Sequence, residues 1–212
     1  MSTQPSAEPQ RFGLSVHPDV HRPGTHEPHE RRDAARNRVL LLEAAHRLVD
    51  RDGVAAVTMD AVAAEAGVGK GTVFRRFGSR AGLMTALLDH TEARWQGRVI
   101  SGPPPLGPGA PPLERLLAFG ASRLDRTIAS ADLMVAASGR HGSSGPAAAF
   151  WTVHVRHLLT EVGVTGDLPL LAMALLAPLD VTIVRQQVDA GVSPERILAA
   201  WTDLVGRVVA GC

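Results

Sequence analysis

The chain is predicted to be all-α, with an N-terminal three-helix helix-turn-helix domain joined by a long helix to a helical body. Three observations carry this. Apolar residues recur at helical spacing along most of the chain. No stretch shows the period-two alternation of a half-buried strand. Capping residues and prolines stand where helices should begin, as at Thr58, Ser79, Pro146 and Ser193-Pro194. The boundaries expected are a tail over residues 1–32, the head over 33–79 and the body over 80–212.

The tail is rich in Pro, His, Glu and Gln without apolar periodicity, the composition of a disordered segment. Its His17, His21, His26 and His29 lack a fixed frame, so no metal site is expected there. A first helix is predicted over Asp33–Asp52. Leu41, Ala44, Ala45, Leu48 and Val49 fall on one face of it, and Gly53 ends it. Arg36 lies near its start, within reach of a neighbouring phosphate.

Residues 58–80, TMDAVAAEAGVGKGTVFRRFGSR, are the most informative stretch. Thr58 is a helix cap, and Val62, Ala63 and Ala66 form a small apolar face. Gly67 permits a tight turn. Val68, Val73 and Phe77 can anchor a second short helix. That leaves Lys70, Thr72, Arg75 and Arg76 facing outward, the layout of a helix that enters the DNA major groove. The segment resembles the DNA-binding region of TetR-type transcriptional regulators. The resemblance covers roughly residues 36–90 and rests on Thr58, Ala66-Gly67-Val68, Gly71-Thr72-Val73-Phe74, Phe77 and Ser79-Arg80. Two positions depart from the family pattern. Phe74 stands where a tyrosine hydroxyl usually meets phosphate, and Gly69 replaces a common serine.

The DNA-binding set read from this segment is Thr58, Gly69, Lys70, Thr72, Phe74, Arg75, Arg76 and Arg80, with Arg36. Phosphate contacts are assigned to Thr58, Lys70, Thr72 and Arg80, and base contacts to Arg75 and Arg76, since arginine suits guanine. Charge agrees in sign. Residues 31–100 carry 12 Lys and Arg against 8 Asp and Glu, whereas residues 101–212 carry 8 against 9. The whole-chain charge of +1 says nothing by itself.

Ser79 caps a long helix predicted to reach Ile100, about 20 residues and roughly 30 Å. The proline-rich stretch Ser101–Pro112 is a loop. A fifth helix is predicted over Leu113–Leu124 and a short sixth over Asp132–Ser138, then a loop over Gly139–Gly145. Pro146 opens a seventh helix. The eighth is predicted over Leu168–Ala190, kinked at Pro178, and the ninth starts at Ser193-Pro194-Glu195. The run from Leu168 to Val184 is apolar but interrupted by Pro178 and Asp180. It is shorter than a membrane span requires, so it reads as a buried helix.

TetR-like regulators dimerise through their last two helices, which assigns Leu175, Leu179, Ile183, Ile197, Trp201, Leu204, Val205 and Val208 to a homodimer interface. The resemblance also implies a small apolar effector in the body. Trp95, Phe119, Met134, Trp151, His154 and Met173 are the candidates for its wall, because a ligand site wants an apolar wall with few polar groups. Gly69-Lys70-Gly71-Thr72 lacks the spacing of a phosphate-binding loop and follows no strand, so no nucleotide or other cofactor is expected. One cysteine, Cys212, and no leader-like start point to a reducing, cytoplasmic compartment. The reading is a repressor of double-stranded operator DNA, released by a small molecule. A ligand-independent architectural DNA-binding protein, or an enzyme carrying a vestigial helix-turn-helix, are the alternatives.

Overall fold

The computed structural model describes residues 27–137 and 146–211. Among these residues the chain forms α1 (Glu27–Asp52), α2 (Met59–Glu65), α3 (Lys70–Phe77), α4 (Arg80–Ser101) and α5 (Pro112–Ala136). Four more helices follow: α6 (Pro146–Val162), α7 (Leu168–Leu176), α8 (Val181–Asp189) and α9 (Pro194–Ala210). Short 3-10 turns occupy Val54–Ala56 and Ala177–Leu179, and no described residue is in a strand. The chain divides into two compact units, one ending at Arg36 and one from Asn37 onward, so α1 crosses their boundary.

The predicted tail ends too late. Residues 27–32 are helical. Residues 1–26 lie outside the described part, with His17, His21 and His26.

Within the second unit, two apolar cores lie in succession. The first takes Leu41, Leu42, Ala44, Ala45 and Leu48 of α1, Val62 and Ala63 of α2, Val73 of α3 and Leu83–Leu88 of α4. Leu133 and Ala137 close it, so the far end of α5 belongs to this core. The second core begins at Trp95 and Val99 of α4 and gathers α5–α9. Both α4 and α5 thus serve both cores. α5 is the central element of the second: it packs against α4, α6, α8 and α9. Gly120 makes the α9 contact possible, because a Cβ there would collide with the Trp201 ring.

The local signals place most helix ends. Thr58 Oγ1 accepts from Ala61 N–H at 3.0 Å, Ser79 Oγ from Gly82 N–H at 3.1 Å and Ser193 Oγ from Arg196 N–H at 3.3 Å. Two expectations are corrected. The predicted fifth and sixth helices are one helix. Residues 125–131 hold neither Gly nor Pro to break the helix, and Thr127 donates its hydroxyl to the Arg123 and Leu179 carbonyls, which ties the helix to the 3-10 turn. The predicted eighth helix is two. It breaks at Pro178, and Asp180 caps α8 by accepting from Thr182 N–H at 2.9 Å. Nor is it buried all round: Leu170 is 61% and Met173 57% exposed. Residues 168–189 have the length and composition of a membrane-crossing helix, but the break divides them. The predicted loop 139–145 lies outside the described residues.

Candidate functional site

The helix-turn-helix is built by α2 and α3. Gly67, at φ +67°, takes the left-handed conformation that turns one helix into the next. Val73 is fully buried, and Val68 and Phe77 pack partly buried beside it. This fixes the roll of α3. Lys70, Phe74, Arg75 and Arg76 are exposed and Thr72 is half-buried. Gly69 precedes α3 and offers no side-chain cap, so the first N–H groups of α3 meet no side chain at that position. The scaffold is braced from α1: Arg47 and Arg51 both reach Glu65 of α2, at 2.9 and 3.2 Å.

Lys70 Nζ sits 2.8 Å from Asp60 Oδ2 and 5.7 Å from the centre of the Phe74 ring. Both partners of that ion pair are more than half exposed, and such pairs contribute about 0–1 kcal/mol. A phosphate can therefore take Lys70 over at little cost. Phe74, 43% exposed, offers its ring and no hydroxyl. Arg36 is exposed on α1 but lies in the first unit.

Arg80 departs from expectation. Its Nε and Nη2 donate to the Val57 and Val54 carbonyls, both at 2.8 Å. The guanidinium closes the turn that leads into α2, so two of its nitrogens are committed to a clamp within the fold. The sequence pattern put it beside the reading helix; which carbonyls it meets depends on a turn more than twenty residues away.

Among the described residues, the expected effector residues are divided between different places in the body. Trp95, Phe119 and His154 pack together with tilted rings, their centres 5.2 and 5.1 Å apart. Burial pushes His154 down to about 4, and its Nε2 has no hydrogen-bond partner among the described residues. Met134 packs against the first core instead. Trp151 and Met173 share an open groove of about 310 Å³ between α5, α6, α7 and α8, walled also by Ala148, Leu176 and Ile183. A larger, more polar cleft of about 890 Å³ runs between α1, α4 and α5, past Trp95, Ser122 and Arg126.

Sequence reading missed the polar cluster beneath the groove. Glu92 of α4 accepts from Arg126 Nε at 2.8 Å, Trp151 Nε1 at 2.9 Å and Gln96 Nε2 at 2.9 Å. Arg123, 9% exposed, stacks its guanidinium 3.7 Å from the centre of the Trp151 ring. Burial pushes Arg123 down to about 10, so it stays charged at neutral pH. A signal was available: Arg123 sits on the stripe Leu116, Gly120, Arg123, Thr127, where every other position is apolar or small and inward.

The interface assignment is also corrected. Leu175, Leu179, Ile197, Trp201 and Val205 are at most 5% exposed within the single chain. Trp201 Nε1 donates to the Leu175 carbonyl at 2.7 Å. These five fill the second core. Leu204 and Val208 are half-buried, and only Ile183 of the set is exposed. Helical periodicity shows that α9 has an apolar face, not whether that face meets its own chain or another.

Comparison with known proteins agrees with this geometry. Residues 41–87 match the model of bacterial regulatory proteins of the tetR family. An HTH-type transcriptional regulator of Staphylococcus aureus is 42% identical over 53 residues, which are 25% of this chain and 29% of that protein. The match thus spans less than a third of that relative's length. A TetR-family transcriptional regulator from Pectobacterium atrosepticum superposes with a TM-score of 0.64 at 19% identity, covering 85% of this chain and 96% of the other. A transcriptional regulator from a Rhodococcus species gives 0.58 at 20% identity, covering 82% and 96%. Residues 41–87 are thus a TetR-type helix-turn-helix region, and the fold of the chain is that of these regulators.

Proposed function

We propose that the chain is a DNA-binding transcriptional repressor that acts as a cytoplasmic homodimer on a palindromic operator and is released by a small apolar molecule. The observation that carries this is α3: a short helix locked by buried Val73, presenting Lys70, Arg75 and Arg76 to solvent within a TetR-type segment. Lys70 and Thr72 serve phosphates, and Arg75 and Arg76 read base edges. The uncovered apolar residues Leu170, Met173 and Ile183 on α7 and α8 support a dimer, because large apolar surface left by one chain suits a second copy. A two-fold protein places two copies of α3 in successive major grooves. The effector acts by population shift: it binds better to a body whose α4 holds the heads at the wrong spacing.

Selection of bound sequences from a random DNA pool tests the reading, and a palindrome is the expected outcome. Lys70→Ala should weaken operator and random DNA alike and reduce the salt slope by about 1. Recovery of no preferred sequence would rule the regulator reading out. A Lys70→Ala variant that loses preference at one base pair, with the salt slope intact, would reverse the roles assigned to Lys70 and the arginines.

A further inference from the structure

We infer that the groove between α5, α6, α7 and α8 takes an apolar organic anion, with its carboxylate on Arg123. This rests on the effector reading above and names the chemistry of the ligand.

The argument begins with what Arg123 lacks. It is nine-tenths buried, and among the described residues no hydrogen bond or ion pair reaches its guanidinium. A guanidinium carries five N–H donors and no acceptor, so an oxygen acceptor in the groove would meet donors that no protein oxygen uses. The nearest carboxylates are committed elsewhere. Glu92 is taken by Arg126, Trp151 and Gln96. Asp180 lines the same groove; its Oδ1 holds the α8 start through Thr182 N–H, and its charge acts on Arg123 without a hydrogen bond between them. Arg126 shows the contrast: equally inward, it keeps two nitrogens within 2.8 Å of Glu92.

The groove supplies what surrounds such a missing partner. Arg123 lies on its wall with Trp151, Met173, Leu176 and Ile183, and the volume, about 310 Å³, is at the small end of ligand sites. A ligand with an oxygen acceptor at one end and an apolar remainder satisfies both. An anionic acceptor is favoured over a neutral one, because charge-assisted hydrogen bonds are about twice as strong and a carboxylate matches the guanidinium fork. A cationic group placed against Arg123 would be repelled by its charge. Trp151 then links the groove to α4: its ring lies under Arg123 while its N–H holds Glu92.

Three isologous probes separate the chemistry: 4-phenylbutyrate, 4-phenyl-1-butanol and 4-phenylbutylamine. Each is titrated calorimetrically into the full-length protein without DNA. The acid should bind, with the alcohol at least about tenfold weaker and the amine weaker still. Arg123→Met should bring the acid down to the level of the alcohol. That variant should fold, since replacing a buried charge by an apolar side chain of similar length is neutral or stabilising. Arg123→Lys should keep part of the preference for the acid. The inference is overturned by equal affinity for acid and alcohol, by undiminished acid binding in Arg123→Met, or by no acid binding up to its solubility limit. No arm contains DNA, so these outcomes judge the anion site alone. The regulator reading is judged separately by the selection experiment.

Discussion

The reading face of the head and the outer face of the body treat polarity in opposite ways. On α3 the charges stand in water: Lys70 meets exposed Asp60 and the exposed Phe74 ring, and the apolar Val73 is hidden. On α7 and α8 large apolar side chains stand in water, while the charges of Arg123, Arg126 and Glu92 are drawn inside. A cation that must meet phosphate has to stay hydrated and free to move. A surface that must meet a second chain, or hold an apolar ligand, gains by staying dry. The two faces thus differ in kind: α3 sets its cations around one exposed apolar ring, Phe74, whereas α7 and α8 leave several large apolar side chains uncovered.

The strongest way to break this comparison is through the core beneath the body. Trp201→Ala removes a buried indole and its 2.7 Å bond to the Leu175 carbonyl, and should cost about 3–5 kcal/mol, read by urea unfolding. A loss below about 1 kcal/mol would return Trp201 to the surface role that its helical stripe suggested.

His154 offers a test by pH. Burial, aided by the charges of Arg115 and His157, pushes it down to about 4, against about 6.5 in an unfolded chain. The folded state therefore resists protonation. Its contribution is complete above about pH 6.5 and falls as pH drops toward 4, by up to roughly 3 kcal/mol. His154→Phe should flatten the decline in melting temperature between those limits. A residual slope is expected from His90, which burial also pushes down. An unchanged slope in the variant would place His154 in water.

In the head, Arg80→Ala should destabilise by about 2 kcal/mol, because two carbonyls lose a charged donor. Lys70→Ala should leave the unfolding free energy within about 0.5 kcal/mol of wild type while weakening DNA binding. If the two variants behave alike in thermal unfolding, Arg80 is not a clamp. The smallest effect on folding is expected from Leu170→Glu, since that side chain is already 61% exposed. Its stability should change by no more than about 0.5 kcal/mol, yet sedimentation should show a weakened dimer.

The head was legible because its signals are local. Thr58, Gly67, Val73 and Ser79 each act within a few residues of themselves, and the structure uses them as read. The body was legible only as helices. Periodicity gives a helix a face but not its partner, so Trp201 and Leu175 looked like an interface and prove to be a core. Arg123, Glu92 and Trp151 come together from positions up to 59 residues apart, and no spacing rule joins them. Arg80 was assigned to phosphate because its place in the pattern is conspicuous, while the carbonyls that claim it lie before α2.

The Arg80 clamp has a consequence for how release would look on DNA. Arg80 is the first residue of α4, and it grips the turn that positions α2. A tilt of α4 would carry the turn and both DNA-facing helices with it as one body, so the alphabet each head reads stays unchanged while the distance between the two heads alters. Effector-bound protein should then keep its preference within a half-site and change only its tolerance for the gap between half-sites. An operator with one or two base pairs inserted at its centre would regain affinity as the natural one loses it.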